Sequence, residues 1–314
     1  MRYKRYQTLS PIYGGGLTNH LPMVLTIYNL LDLDEETIIA KLEAYIEERG
    51  IYDMTKPYAP RSEFDQAYIN RTSFYLSELN HVGKDIVVGT FLAEKRASIF
   101  SALFHGLIRL YYALIEKDDM QIAQALAYFE LSSESIKIET KATLDYPSFN
   151  QEFEMLLSQF HELNYEFKAT STMEKAKEIL QLPLINQRLN TVRNITKEQV
   201  LQFITNHYII SPDFFTLHLI TGFHALVELE EFIYDFEDVL KEFLKLAQVI
   251  MMLRYQKSES ELFSTISINE CLNHVESLSD FHEVKLLYSV YRLAQLFDDE
   301  NLIKIANKVI KNRV

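Results

Sequence analysis

Apolar positions recur every three to four residues along most of the chain, and the alternation expected of a half-buried strand is rare. Residues 1–16 read as irregular and end in Gly14, Gly15 and Gly16, after which Thr18 or Asn19 caps a helix to about Leu31. Asp34 opens a second helix, DEETIIAKLEAYIEERG, with acids in its first turn and Gly50 as its stop. Residues 51–68, with two prolines, read as loop. Helices are expected over about 70–81 and 84–94, and a long one over about 95–117. Asp118 and Asp119 start DMQIAQALAYFEL, and Pro147 opens a helix to about 160. Residues 162–171 read as a connector, and 172–196 as a helix broken by Pro183. Thr196 and Gln199 form a capping-box pattern before KEQVLQFITNHYI. Pro212 takes a first-turn position ahead of DFFTLHLITGFHALVELEEFI. Three more helices fall near 236–256, 279–297 and 298–312.

More than ten helices make this an all-α chain, expected to fold as a single large multi-helix domain over residues 1–314. The segment 163–195 is its weakest point and marks a possible meeting of two helical halves. Composition agrees: only 8 Gly and 7 Pro in 314 residues leave few helix breakers, and 19 Tyr and 20 Phe supply an aromatic core or pocket. No solenoid period is present.

A formal charge of −13 argues against a nucleic-acid partner, because no basic stripe compensates. The short basic end KVIKNRV is explained by the helix dipole. The single Cys271 cannot form an internal disulfide and no CxxC pair exists, which fits a reducing cytoplasm. The N-terminal stretch lacks the apolar region of a signal peptide, and no apolar run reaches the length of a membrane span. A cytoplasmic protein without a membrane partner is expected.

Candidate chemistry rests on the histidines. The GGG run lacks the spacing of a phosphate cradle and reads as a flexible turn. His81, His161, His207 and His274 sit beside loops or polar residues and attract no special reading. His20 in GLTNHLPM, His105 in ALFHGLIRLYYAL, His218 in FFTLHLITGFHAL and His282 in DFHEVKLLY lie in or beside strongly apolar segments. A buried imidazole there needs a carbonyl or a metal as partner, since an unmade bond costs on the order of 1–3 kcal/mol. His282 and Lys285 share one helix face, an odd pairing, because a protonated lysine cannot bind a metal. Taken alone, His282, Lys285, Ser289 and Arg292 at helical spacing read as a solvated stripe. Known helical metal signatures fit poorly: Glu78–His81 is the only ExxH pair, and His-Asp, HExxH and GxSxG are all absent.

GLTNHLPM (16–23), ALFHGLIRLYYAL (102–114) with QALAYF (124–129), FFTLHLITGFHAL (214–226) and DFHEVKLL (280–287) together resemble the questin oxidase-like family, in the family's order and across nearly the whole chain. FHGLIRL followed by ALAY is the most specific part. That family includes fungal oxidases that open anthraquinone-type rings in Baeyer–Villiger fashion with NADPH. The resemblance also implies a mononuclear non-haem Fe(II) site made of four histidines and a lysine carboxylated at its side-chain nitrogen. Carried over by position, the ligands are His20, His105, His218, His282 and Lys285. A carbamate on Lys285 would explain its place beside His282: forming it needs the neutral amine, which burial favours. Four imidazoles and one carbamate suit iron and leave one octahedral position open.

His224 competes with His218, but six residues apart on a helix the two point about 120° from each other, and the LHxxT position favours His218. His224, Asn19, Arg109 and Thr221 are candidates to support the ligands or the reaction; Arg109, one turn after His105, and Thr221, three residues after His218, can face the same cavity. Phe104, Tyr112 and Phe215 are expected to line that pocket. The chain is more compact than the fungal members and carries no nicotinamide-binding fingerprint, so NADPH has no motif here.

The expected protein is therefore an all-α domain with a central cavity, an oxidoreductase using iron and dioxygen on an aromatic or quinone-like small molecule. One alternative keeps the ligands and makes it a Zn(II) or Mn(II) hydrolase or lyase. Another is a non-enzymatic helical ligand-binding protein, in which the four histidines do not converge or converge without a metal.

Overall fold

The computed structural model describes residues 4, 6–253 and 266–311. Fifteen α-helices and four short strands occur among these residues. In chain order the strands β1 (Ile12–Tyr13) and β2 (Leu17–Thr18) precede α1 (Leu21–Leu30), α2 (Glu35–Arg49), α3 (Glu63–Val82), α4 (Lys84–Glu94), α5 (His105–Glu116) and α6 (Asp119–Leu131). Then come β3 (Ala142–Leu144), α7 (Tyr146–Glu162), α8 (Thr172–Gln181), α9 (Pro183–Asn186) and β4 (Asn190–Val192). The chain continues through α10 (Lys197–Ile210), α11 (Phe214–Glu228), α12 (Phe236–Leu253), α13 (Ile268–Leu272), α14 (Phe281–Leu296) and α15 (Glu300–Ile310). The expected helix ends at 256 and 312, and the last residues of KVIKNRV, lie outside the described residues.

Local chemistry accounts for most boundaries. Asp34 caps α2 through Thr37 N–H, and Gly50 ends it in the left-handed conformation. Thr196 and Gln199 close the capping box of α10. A second capping box, Ser62 with Asp65, starts α3 at Glu63, inside the stretch expected to be loop. Asp213, rather than Pro212, caps α11, so the proline stands outside the helix. Neither Thr18 nor Asn19 caps α1: its N-cap is His20, while Asn19 Oδ1 accepts from Leu21 N–H at 3.0 Å.

The glycine run is the tip of the β1–β2 hairpin, where Gly14, Gly15 and Gly16 all have positive φ. Segment 163–195 carries α8, α9 and β4; β4 pairs parallel with β3, and α8 packs on α12.

Four helices form the centre. α11 packs against α5 and α14, and α1 also packs against α5 and α14. Twelve consecutive residues of α11, Thr216–Val227, are buried, which is why this segment reads as apolar on every side. Each central helix brings a histidine close to its N-terminus. His20 is the N-cap of α1, His105 is the first residue of α5, His218 the fifth of α11 and His282 the second of α14.

The long helix expected over 95–117 does not form. Short 3-10 turns occupy 96–98 and 101–104, and Ala102, Leu103 and Phe104 all adopt positive φ (50, 52 and 66°). Left-handed backbone costs about 1–2 kcal/mol per residue for non-glycine side chains. Here it reverses the chain so that Phe104 enters the core fully buried, which returns about 2–3 kcal/mol, and α5 restarts at His105. Burial thus offsets only part of the strain, and strain held this way is usual beside functional groups. No helix among the described residues is long and apolar enough to cross a membrane.

Candidate metal centre

The four histidines close a ring. Ring centroids are 4.9 Å apart for His20–His105, 4.8 Å for His105–His218, 5.3 Å for His218–His282 and 4.3 Å for His282–His20. Ligating atoms of His20, His105 and His282 all lie within 4.8 Å of one another. His20 Nε2 and His105 Nε2 are 2.9 Å apart. Two adjacent ligands bound to one ion at about 2.1 Å would stand about 3 Å apart, so this pair already has the spacing of neighbours on a metal.

Outer partners fix which nitrogen faces the centre. His105 Nδ1 lies 2.5 Å from Ala102 O in the left-handed turn, and His218 Nδ1 lies 2.6 Å from Phe214 O. A carbonyl only accepts, so both Nδ1 atoms carry the proton and both Nε2 atoms present a lone pair. His282 Nδ1 is 3.0 Å from Asp280 Oδ1, the same carboxylate that caps α14. His218 Nε2, His282 Nε2 and Lys285 Nζ are buried without a hydrogen-bond partner. Orphaned buried donors and acceptors are rare because each costs about 1–3 kcal/mol. Three in one place fit a cation that shares them.

Electrostatics favour unprotonated ligands. Burial, then the charge of Lys285, holds His20 and His105 well below the ordinary imidazole value. For His218 the causes are burial, then His105 and Lys285, and burial also lowers His282 against the opposing pull of Asp280. Lys285 is wholly buried, and burial brings its amine from 10.5 down to about 7. The solvated-stripe reading of the α14 face is therefore overturned: Lys285 is 0% and Ser289 1% exposed, because this face is turned toward α11 and the histidine ring. Four converging helix N-termini add partial positive potential, a setting that favours an anionic group.

Beside the ring lies a cavity of about 710 Å³. His20, His105 and His282 form part of its wall, with Phe64, Phe100, Leu103 and Phe214 among its apolar lining. Its exposed rim is made by Gly16 and Leu17 of the hairpin and by Thr170 and Ser171 before α8. The expected lining residues Phe104, Tyr112 and Phe215 do not contribute. The left-handed turn sends Phe104 into the core against Gly222 and leaves Leu103 at the cavity. On α11 Phe214 takes the place expected of Phe215, packing on His218 at 4.5 Å and His282 at 5.1 Å.

The supporting residues divide. Arg109 is buried but lies off the cavity wall: its Nη2 donates to Tyr68 Oη at 3.0 Å, and its guanidinium sits 5.2 Å from the Tyr128 ring, which does line the cavity. Thr221 also lies off the wall and hydrogen-bonds within α11, to Leu217 O and His218 O. Asn19 closes the base of the hairpin, donating to Ser10 O in the segment before β1 at 2.9 Å. His224 belongs to a separate buried group, with Nδ1 3.0 Å from Ser289 Oγ and Nε2 3.6 Å from Glu228 Oε1. Arg292 donates to the same Glu228 oxygen at 2.8 Å. Sequence reasoning passed over Asp280, Phe214 and Tyr128. Asp280 was legible as the cap before His282; the others depend on the turn at 102–104 and on helix packing.

No family model and no curated protein matches the chain.

Proposed function

We propose that this protein is an oxidoreductase that holds one iron ion in the histidine ring and oxidises an aromatic or quinone-like small molecule with dioxygen in the adjoining cavity. The observation that carries the reading is the clustering of His20, His105 and His282 with the His218 ring beside them, while His218 Nε2, His282 Nε2 and Lys285 Nζ are all buried without a hydrogen-bond partner, next to a large apolar cavity. The resemblance to the questin oxidase-like family supports the choice of iron and dioxygen.

In this reading His20, His105, His218 and His282 bind through Nε2, and Lys285 binds as a carbamate. The neutral amine of Lys285 would add to carbon dioxide: an N–C bond forms as one C=O π bond opens, the released N–H proton passes to water, and an anionic oxygen ligand results. An amine titrating near 7 is largely neutral at slightly alkaline pH, so its lone pair is free to attack without prior deprotonation. When bound, iron supplies the electron transfer that lets dioxygen react with a closed-shell organic molecule. The protein orients the ligands through Ala102 O, Phe214 O and Asp280, and the Phe214 ring packs on His218 and His282. No lysine or arginine lines the cavity among the described residues, so the phosphates of NADPH would meet no cation there. A reaction in which both oxygen atoms enter the product, or one whose electrons come from a partner, suits the cavity better.

Metal analysis of protein purified without chelator or nickel resin, beside the His282→Ala variant, tests the reading. Near-stoichiometric iron that disappears in the variant is expected. Zinc or manganese that iron cannot replace would turn the reading to hydrolytic or lyase chemistry. No metal after anaerobic Fe(II) and bicarbonate would leave a non-enzymatic ligand-binding protein.

A further inference from the structure

A second, much smaller cavity, of about 10 Å³, has room for a single water-sized particle. Asn19, Tyr68, Gln121 and Gln124 form its polar wall, and Arg109 is the only charged side chain in the lining. Arg109 is 5% exposed, yet no carboxylate pairs with its guanidinium among the described residues. The rings of Tyr68 and Tyr128, 5.7 and 5.2 Å away, cradle the cation without neutralising it. Its Nη2 donates to Tyr68 Oη, and its Nη1 is buried without a partner. Tyr68 is thereby an acceptor, and its own hydroxyl proton finds no acceptor among the described residues. Burial raises that hydroxyl above its ordinary value despite Arg109, so it keeps its proton. Asp65 also bears on Tyr68 but is not part of the lining, and its oxygens accept from Ser10, Tyr52 and Ser62. Gln121, buried in the first turn of α6, has no side-chain hydrogen-bond partner among the described residues. The amides of Asn19 and Gln124 are engaged with Ser10 O and Gln7 O. Leu21 and Pro22, the first two residues of α1, also line the space, so the positive end of that helix stands at it.

We propose that this small cavity is a halide site that holds one chloride ion against Arg109 Nη1, the Tyr68 hydroxyl and the Gln121 amide. Two buried donors there lack an acceptor, and a buried charge lacks a counterion. One monatomic anion answers both needs. Water would accept the hydrogen bonds but leave the guanidinium uncompensated, which is the costlier of the two deficits. Sulfate, phosphate and carboxylates have several heavy atoms and exceed the space. Leu21, Tyr68, Arg109 and Gln121 come from α1, α3, α5 and α6, so the ion joins four helices and acts as a structural counterion. The assignment stands apart from the metal reading, since it uses neither the histidines nor Lys285.

The test uses the full chain, stripped of metal and exchanged into sodium gluconate. Crystals transferred to sodium bromide should show an anomalous peak within hydrogen-bonding reach of Arg109 Nη1 and Tyr68 Oη. In solution the chloride NMR line should broaden when protein is added and sharpen again when bromide competes. The urea midpoint should rise saturably as chloride replaces gluconate, because a ligand of the folded state opposes unfolding in proportion to its occupancy. Ionic strength is held fixed, so general screening on a chain of formal charge −13 does not change. Arg109→Met keeps an apolar stem and removes the charge; it should lose the peak, the broadening and the chloride-dependent rise. Tyr68→Phe keeps the charge and removes one donor. It should bind chloride about tenfold more weakly, and it carries the test where Arg109→Met fails to fold. Water in place of bromide, broadening unchanged in either variant, or a midpoint indifferent to chloride would each overturn the assignment. A bromide peak in the crystal without broadening in solution would mean an adventitious ion only, and would overturn it too. Every readout is taken on metal-free protein, so failure of the halide site and failure of the iron reading are seen separately.

Discussion

Gly222 of α11 lies directly beneath the ring of Phe104: a Cβ on Gly222 would stand 2.5 Å from Phe104 Cγ and 2.8 Å from Phe104 Cβ. The missing side chain is what lets the left-handed turn press against α11, and the turn in turn aims His105. Gly222→Ala should therefore act at a distance. Overpacking of this kind costs about 1–3 kcal/mol, and relief would push Phe104 and the Ala102 carbonyl away from their places. The expected result is a lower unfolding midpoint in urea together with weaker metal binding, and Phe104→Leu in the same chain should recover part of both. Unchanged metal affinity in Gly222→Ala would separate the turn from the site.

That relationship also marks where sequence reading stopped. The 3.6-residue periodicity and the caps at Asp34, Gly50, Asp118 and Thr196 made the helical content legible, because these signals are local. The turn at 102–104 was not legible: Ala, Leu and Phe carry no left-handed preference, and only the tertiary fit of Phe104 over Gly222 selects it. The same holds on α14. Spacing put His282, Lys285, Ser289 and Arg292 on one face, but whether that face meets water or α11 depends on a helix more than fifty residues away in sequence. All four resemblance-derived histidines converge in space. Arg109 and Thr221 share helices with them, yet their side chains leave by other directions.

Lys285 gives stability a pH dependence of known sign. Its amine titrates at about 7 in the folded protein and ordinarily at 10.5, so between these values the unfolded chain holds a proton that the folded chain lacks. Stability must rise with pH through this window, and below about 7 the full penalty of a buried ammonium is present. In metal-free, carbon dioxide-free solution Lys285→Met should raise stability at pH 6.5 by on the order of 1–3 kcal/mol. The gain should shrink toward pH 10. Urea denaturation of both proteins across that range measures it; parallel curves would mean that Lys285 is not strained as the structure places it.

Asp280 has two roles that one substitution can divide. Its carboxylate accepts from His282 N–H at 2.8 Å as the cap of α14 and lies 3.0 Å from His282 Nδ1. Asparagine also caps helices well, so Asp280→Asn should cost less than about 1 kcal/mol of stability. Losing the charge behind the imidazole should nevertheless weaken metal binding roughly 10–100-fold. A competition titration against a chelator of known affinity reads the second effect, and a thermal melt of the metal-free protein reads the first. Equal and large losses in both would place Asp280 in the fold alone.

His224 and His218 share one helix but should answer differently. His218 Nε2 faces the ring with no partner, whereas His224 is engaged with Ser289 and stands beside Glu228, away from the cavity wall. His218→Gln should abolish stoichiometric metal binding with a modest effect on stability, since it removes an unsatisfied buried nitrogen along with the ligand. His224→Gln should leave metal content unchanged and lower stability. Glu228 gives this second group its own pH signature: His224 first, and then Arg292, hold its carboxyl at about 2, below the ordinary 4.5. Its contribution is present above pH 4.5 and is lost as pH falls through about 2. The carboxylate is partly open to solvent, so Glu228→Gln should cost only about 1 kcal/mol at pH 7 and nothing near pH 2. Metal analysis of the three variants beside acid unfolding curves decides the matter; loss of metal in His224→Gln at unchanged stability would put His224 into the ligand set and displace His218.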